Sequence, residues 1–440
     1  MTSAAESKNL TETGPGTPMG ELIRQYWLPA LKSSELVADG DPVRLMLLGE
    51  KLIGFRDSSG RVGVMDHRCP HRCASLFFGR NEEDGIRCVY HGWKFDVEGN
   101  CLEMANVPPA QDFKHKVKAK AYKATERAGV VWVYMGDAET LPGLPELEAV
   151  NLPEAELTVT FVQRQCNWLQ AMEGDIDTSH FSFLHFGSVA PDDLAEAEMA
   201  RTITTDRAPE YAFAETEWGM MYGAYRPAKP GFNYWRIAHF AFPFWAMPPH
   251  GAIGDHIWTR AWVPIDDTHM MFVEFSWDQR TPGLRGRKDG TRVPGIAGIS
   301  GYLDNSTDWL GRWRLGANAG NDYQIDRGAQ AGGEIFTGIS GIYLQDQMIT
   351  ESMGDIVDRS LERLAPSDQM ITQTRRRLLR AAEAYQATAT PPPGAANPQV
   401  YALPRAGDYL AAADADWTEE YECQISALSN RVGPAKAAAE

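Results

Sequence analysis

The stretch CPHRCASLFFGRNEEDGIRCVYHGW, residues 69–93, contains two Cys–His pairs, Cys69-Pro-His71 and Cys88-Val-Tyr-His91, with sixteen residues between them. Thiolates and imidazoles are the ligands of zinc and of iron–sulfur clusters. Structural zinc sites usually space a C-x(2–4)-C pair and an H-x(3–5)-H pair, each pair of one residue type. Here each pair mixes the types.

A cluster with two unlike irons needs that mixing, because each loop must give one ligand to each iron. The pattern therefore favours a Rieske [2Fe–2S] centre, with two thiolates on one iron and two histidines on the other, over zinc or a metal-free buried cluster. Trp93 and Tyr90 are placed to shield the cluster and to donate hydrogen bonds that tune its potential. Cys73 follows His71 by two residues, but the set is complete without it, so it reads as packing beneath the loop. Cys101, Cys166 and Cys423 are isolated and read as buried, apolar-type residues.

Around this motif, residues from about Ser33 to Tyr134 form short alternating segments broken by turns, among them VRLMLLG, KLIGFRD, RVGVMD and GVVWVYMGD. That pattern predicts an all-β domain. Residues 1–16 read as loose, and TPMGELIRQYW reads as a short helix with Thr17 as N-cap and Pro18 in its first turn. An electron carrier needs only about the first 150 residues, yet the chain has 440.

The texture changes after a Pro-rich junction at 142–154. RQCNWLQAMEGDIDTSHFSFLH reads mostly as helix, and strand-like segments follow up to residue 278. A Gly-rich irregular stretch fills 283–341, and such long irregular regions are usually functional. Helices return at YLQDQMITESMG and SDQMITQTRRRLLRAAEAYQ, and the Pro/Ala-rich tail from Pro391 is expected to wrap a surface or fray. The predicted divisions are 1–25, an N-terminal segment with a short helix; 26–141, the iron–sulfur domain; 142–154, a linker; 155–390, a catalytic domain; and 391–440, a tail.

The second part contains Asp177-x2-His180-x4-His185. In an ideal helix a five-residue step turns about 500°, which leaves His180 and His185 pointing about 140° apart. They share a metal only if the helix unwinds or ends between them. Two histidines and one carboxylate form the facial triad of mononuclear iron(II) oxygenases. Asp346, surrounded by Ile342, Leu344, Met348 and Ile349 on a predicted helix, is favoured as the carboxylate over Glu351, because a carboxylate in apolar surroundings must be paired or metal-bound. An iron–sulfur centre and an oxygen-binding iron in one chain describe an oxygenase with a built-in electron input.

The chain resembles the Rieske non-haem iron oxygenases, terminal oxygenase component, and within them the phthalate dioxygenase-like branch. GPGTPMGELIRQYW, the two Cys–His pairs, CNWLQAMEGDIDTSH and LQDQMITESMGDIVDRSLERLAPSDQMI carry the resemblance. It implies an α+β protein: an N-terminal Rieske-type all-β domain, then a catalytic domain with a curved antiparallel sheet flanked by helices, of helix-grip type. It implies mononuclear Fe(II) on His180, His185 and Asp346, and a head-to-tail homotrimer, possibly stacked into a hexamer. Asp177, rather than Asp175, would bridge the two centres across the subunit interface. A flavin and iron–sulfur NAD(P)H-dependent reductase would supply electrons for hydroxylating an aromatic acid with O2. Ser179 and Arg207 match the positions that contact substrate in that branch. Trp235, Phe244 and Trp245 are candidate pocket walls. Ring dihydroxylation and O-demethylation are both compatible with this site, and a non-catalytic electron carrier is the reading from another class.

The formal net charge of −17 argues against nucleic acid as a partner. No signal peptide is evident, and no stretch reaches the roughly 20 apolar residues of a membrane span. The cytoplasm is the expected compartment, which six cysteines used as ligands or free thiols also suit.

Overall fold

The computed structural model describes residues 2–137, 139, 141–194, 199–278 and 286–433. The first three residues of the Gly-rich stretch and the last seven of the tail lie outside the described residues.

Ten short strands build the N-terminal part: β1 (Trp27–Lys32), β2 (Val43–Leu47), β3 (Glu50–Arg56), β4 (Val62–Asp66), β5 (Arg80–Glu82), β6 (Gly85–Arg87), β7 (Trp93–Phe95), β8 (Cys101–Met104), β9 (Ala121–Arg127) and β10 (Val130–Tyr134). They form two antiparallel sheets, a six-stranded one in the order β1-β10-β9-β4-β3-β2 and a four-stranded one in the order β5-β6-β7-β8. Three of the hairpins turn on two residues that both have positive φ: Leu48-Gly49, Glu83-Asp84 and Ala128-Gly129. That geometry matches the right-handed twist of the flanking strands. Leu48 is buried, and its amide donates to Pro264 O at 3.2 Å, so the hairpin tip is docked onto the second part of the chain.

The C-terminal part is one antiparallel sheet of eight strands: β11 (Leu157–Arg164), β12 (Glu210–Glu215), β13 (Gly219–Pro227), β14 (Phe232–Ala241), β15 (Trp245–Met247), β16 (Trp258–Pro264), β17 (Met270–Trp277) and β18 (Gly407–Ala412). The order is β11-β17-β16-β15-β14-β13-β12, and β18 also pairs with β14. Strand β14 shares one edge between two partners, since residues 239–241 pair with β15 and residues 232–237 with β18. A continuous core joins the two parts: Trp132 of β10 lies 5.7 Å from Phe275 of β17 and 6.0 Å from Trp245, centroid to centroid.

Eight helices are described: α1 (Ala4–Thr11), α2 (Pro18–Ile23), α3 (Trp168–Ile176), α4 (Met199–Thr205), α5 (Arg327–Ala331), α6 (Ile342–Ser352), α7 (Gln369–Thr388) and α8 (Trp417–Ser426). The expectation of a loose N-terminus is corrected by α1, which a Ser3–Glu6 capping box starts. Its end is tied down by Asn167 Nδ2, which donates to Thr11 O at 3.0 Å. Helix α2 begins as expected, with the Thr17 hydroxyl accepting from Gly20 N. The tail from Pro391 does more than wrap a surface, because it supplies β18 and α8.

The Pro-rich stretch 142–154 is pinned at several points. Trp27 Nε1 donates to Pro142 O at 2.8 Å, and Glu146 N donates to Pro398 O at 3.1 Å. Buried Glu148 takes both forks of buried Arg405, at 2.9 and 2.6 Å, and accepts from Val432 N at 2.7 Å. One carboxylate thus clamps the junction to the tail. Breaking a buried pair leaves an uncompensated charge, so Glu148→Ala should lower unfolding stability by about 3–5 kcal/mol. The check is the midpoint of urea denaturation for the variant against the wild type.

Candidate metal centres

The first centre sits on two loops, between β4 and β5 and between β6 and β7. Both close in the same way. Cys73 N donates to Cys69 O at 2.8 Å, and Gly92 N donates to Cys88 O at 2.9 Å. The closing residue is left-handed in each, at φ 60° for Cys73 and 74° for Gly92. At Gly92 a Cβ would come within 2.7 Å of Ala105 Cβ, so close packing also requires glycine there. Cys73 is therefore the counterpart of Gly92, and it is exposed rather than packed beneath the loop. Cys423 is likewise exposed, against the sequence expectation, while Cys101 and Cys166 are buried.

The loops bring Cys69, His71, Cys88 and His91 together. The two thiols are buried and the two imidazoles are partly exposed. The ring centroids of His71 and His91 lie 4.5 Å apart. Trp93 stacks on His71 at 4.4 Å, but its Nε1 donates to Asn106 Oδ1 at 2.8 Å, so its hydrogen bond supports the loop instead of the cluster. Tyr90 covers His91, at 3.8 Å between centroids.

The donor set fits a [2Fe–2S] cluster. His91 Nδ1 is buried without a hydrogen-bond partner. Burial and the neighbouring Cys88 push the Cys69 thiol up to about 12, so a thiolate there needs a cation beside it. Among the described residues, only His180, His185 and Asp346 bring three such ligand atoms within 4.8 Å of one another. The wider Cys–His set suits two metals, not one tetrahedral ion.

The second centre begins where α3 ends. Asp177 caps that helix, and a π-helical turn, Phe181–His185, follows with His180 at its N-cap. The chain neither continues as α-helix nor simply breaks. The wider i→i+5 turn brings residues five apart onto one side. As a result His180 Nε2 and His185 Nε2 lie 3.2 Å apart. Asp346 Oδ1, from α6, lies 3.2 Å from His185 Nε2 and 3.6 Å from His180 Nε2.

The outward ring nitrogens are held as well. His180 Nδ1 lies 3.4 Å from Asp177 Oδ2, and His185 Nδ1 donates to Gln345 Oε1 at 2.6 Å. Gln345 is fixed in turn, donating to Ile339 O at 2.7 Å. Burial opposes charge on both His180 and Asp346, yet partners outweigh it. Asp177 and Asp346 raise His180 to about 9, and His185 and His180 lower Asp346 to about 2. The acids hold a proton on an imidazole that faces another imidazole, and a divalent cation is the natural replacement for that proton.

The competitors are engaged elsewhere. Glu351 accepts from Gln165 N, Tyr323 Oη and Gln347 Nε2. Asp175 pairs with Arg260 and accepts from Trp262 Nε1 at 3.2 Å. Ser179 Oγ donates to Asp177 Oδ1 at 2.9 Å, which holds the Asp177 carboxylate in place.

The triad opens into a cavity walled by Phe181, Tyr222, Arg236, Trp258 and Ile342. Arg207 does not line it. Its guanidinium donates to the carbonyl of Ser182 and, at 3.5 Å, to those of Phe186 and Val189, capping the π turn. The suggested walls also fall in the core: Trp235 stacks on Tyr225, Trp245 packs near Trp132, and Phe244 is fully buried. Two residues at this site, Gln345 and Arg236, escaped the sequence reading. Gln345 has no distinguishing signal in the sequence. Arg236 has one, as a lone guanidinium in the apolar run YWRIAHFAF.

Both parts of the chain match known protein families. Residues 26–120 match the Rieske [2Fe-2S] domain family, and residues 133–420 match the family described as LigXa C-terminal domain like. The 3-chlorobenzoate-3,4-dioxygenase oxygenase subunit of Comamonas testosteroni is 49% identical over 97% of this chain and 100% of its own length. The phthalate 4,5-dioxygenase oxygenase subunit of Pseudomonas putida is 38% identical over 88% of each chain. Among solved structures, the NdmA QL mutant of Pseudomonas putida CBB5 with caffeine has a TM-score of 0.56 at 18% identity, covering 90% of this chain and 99% of its own, and so shares the fold.

Outer partners of metal-bound histidines set ring orientation and tautomer. Gln345→Leu should therefore weaken Fe(II) binding about 10- to 100-fold while leaving the far-ultraviolet circular dichroism unchanged. Competition against a chelator measures it.

Proposed function

The chain belongs to the Rieske non-haem iron oxygenases as a terminal oxygenase component, and we propose that it hydroxylates an aromatic carboxylate with O2. The chain carries a Rieske [2Fe–2S] cluster and a mononuclear iron, as its family does. The observation that carries the reading is the pairing of two Cys–His loops and an open His–His–Asp triad in one chain. The likeness to the 3-chlorobenzoate and phthalate enzymes supports the substrate class.

When bound, the two metal centres supply single-electron delivery and O2 activation. The side chains do the rest. Cys69 and Cys88 would hold one iron of the cluster, and His71 and His91 the other. His180, His185 and Asp346 would hold the mononuclear iron, while Asp177 and Gln345 contact the outward Nδ1 atoms and so fix the two imidazoles. Phe181, Trp258 and Ile342 line the cavity with apolar surface that keeps the substrate ring dry.

Asp177 is placed to do more than orient His180. It is partly exposed, as is His91. In a head-to-tail trimer it would join His180 to the partner subunit's His91 and so bridge the two centres. We infer that the electrons come from an NAD(P)H-dependent reductase and that the enzyme works in the cytoplasm, where NAD(P)H is supplied. Among the described residues no helix is long and apolar enough to cross a membrane.

Two experiments test these assignments. Iron-loaded protein with a compatible reductase, NADH and substituted benzoates should consume O2 and release a cis-diol. Formaldehyde with a phenol would move the reaction to O-demethylation, and no uptake with any aromatic acid would sink the substrate class. Asp177→Asn should keep both metals, seen spectroscopically, yet slow oxidation of the reduced cluster by about 10- to 100-fold. Normal turnover in that variant would remove Asp177 from the electron path.

A further inference from the structure

Arg164 ends β11 and reaches α6, and it is only 1% exposed. Its guanidinium donates three hydrogen bonds, all to oxygens of α6: Nε to Tyr343 Oη at 3.0 Å, Nη1 to Thr350 Oγ1 at 3.1 Å and Nη2 to Tyr343 O at 3.4 Å. The rings of Tyr343, at 4.2 Å, and Trp262, at 4.8 Å, cover it. A buried charge is costly unless an opposite charge answers it. Arg24, Arg312, Arg359, Arg375 and Arg405 follow that rule, each within 4 Å of a carboxylate. Among the described residues, Arg164 has no carboxylate partner of that kind, since its hydrogen bonds go to a phenol, a hydroxyl and a carbonyl.

The two residues it grips bracket Asp346. Tyr343 lies three residues before Asp346 and Thr350 four after it, so all three share one stripe of the helix. Thr350 Oγ1, while accepting from Arg164, donates to Asp346 O at 2.9 Å. Two hydrogen bonds in series thus join the guanidinium to the backbone of the carboxylate that faces the metal position. The other acids in this region are engaged. Asp175, which accepts from Trp262, pairs with Arg260, and Glu351 is held by Gln165 N, Tyr323 and Gln347. Burial pushes the Cys166 thiol up to about 12 and pushes the Tyr343 phenol up as well, so both are neutral. Burial opposes the charge on Asp346, and Arg164 joins His185 and His180 in keeping it ionised. Asp346 is the anion left to Arg164.

We propose that Arg164 is a positioning residue for the mononuclear iron: gripping α6 on either side of Asp346, it places a fixed positive charge behind that carboxylate and favours ferrous over ferric iron at the triad. Loss of an electron adds positive charge at the metal. A fixed cation in the same low-dielectric interior opposes that gain. The ferrous state is the one in which triads of this kind meet O2. The forked guanidinium suits the task because it spans two oxygens on one helix while staying protonated in a buried setting. The inference rests on iron at the triad and is independent of which aromatic acid is the substrate.

The measurement is the ferric/ferrous midpoint of the mononuclear iron in the iron-loaded protein, read from the high-spin ferric signal in electron paramagnetic resonance during a mediated redox titration. Arg164→Met removes the charge and leaves no bare carboxylate behind, and the optical spectrum of the [2Fe–2S] cluster checks that the fold is intact. The midpoint should fall by about 59 mV, a tenfold shift of the one-electron equilibrium toward ferric iron. Arg164→Lys, which keeps the charge and loses the fork, should restore most of the wild-type midpoint. Cys166 borders the same Thr350 hydroxyl. Cys166→Asp therefore supplies the missing counter-charge with Arg164 in place, and it should lower the midpoint in the same direction. An unchanged midpoint in Arg164→Met, an equal fall in Arg164→Lys, or no fall in Cys166→Asp would each overturn the proposal, and the last decides it even if Arg164→Met does not fold. A wild type that takes up no iron at the triad would sink both this inference and the oxygenase reading. The expected shifts without O2 uptake on any aromatic acid would leave the role of Arg164 standing and sink the substrate class alone.

Discussion

Two imidazoles 3.2 Å apart and a carboxylate equally close to one of them make up the contact around which the catalytic half is arranged. His180 and His185 come from one turn, and Asp346 comes from a helix 161 residues further along the chain than His185. Such a contact has no value in the apoprotein beyond the proton it traps. Its geometry makes sense as a cation site, and the neighbouring structure is what maintains it. The π turn spaces the histidines, Asp177 and Gln345 lock their rings, and α6 presents Gln345 to one imidazole while its neighbour Asp346 faces the metal position.

Much of this was legible from residues 69–93 and 177–185, because metal ligation constrains residue type and spacing more tightly than packing does. The strands of the first part were legible too, since their alternation is strong. What stayed hidden had weaker or non-local causes. The hairpin tips use Leu48, Glu83, Asp84 and Ala128 in left-handed backbone, where the familiar Asn-Gly signal is missing. Helix α1 had its capping box in plain sight, but too little apolar periodicity to announce a helix. Strand β18 exists because β14 has a free edge for it, a fact about the partner and not about residues 407–412. Arg207 matches a substrate-contacting position by its place in the sequence, whereas its hydrogen bonds to the carbonyl oxygens of Ser182 and Phe186 depend on the fold.

The distribution of buried charge separates scaffold from site. Glu148 with Arg405, and Glu173 and Glu362 with Arg359 and Arg375, are closed units whose charges cancel in place. They tie the junction, the tail and α7 to the body of the protein. At the triad the charges are not cancelled in the same way. Asp346 and Asp177 leave a negative field at the triad, and Arg236 stands on the sheet side of the same cavity. A metal cation would answer the negative field of Asp346 and Asp177.

The shared edge of β14 also has a meaning for synthesis. The strand that carries Arg236 pairs along its first half with residues 407–412. On the ribosome those residues emerge long after β14 itself, when the metal-ligand loops and the triad have already left the exit tunnel. Until then β14 presents an unpaired edge and Arg236 lacks the strand that holds its backbone. The order of emergence therefore separates acquisition of the ligand residues from completion of the cavity, and it leaves nascent chains with a bare strand that chaperones must cover.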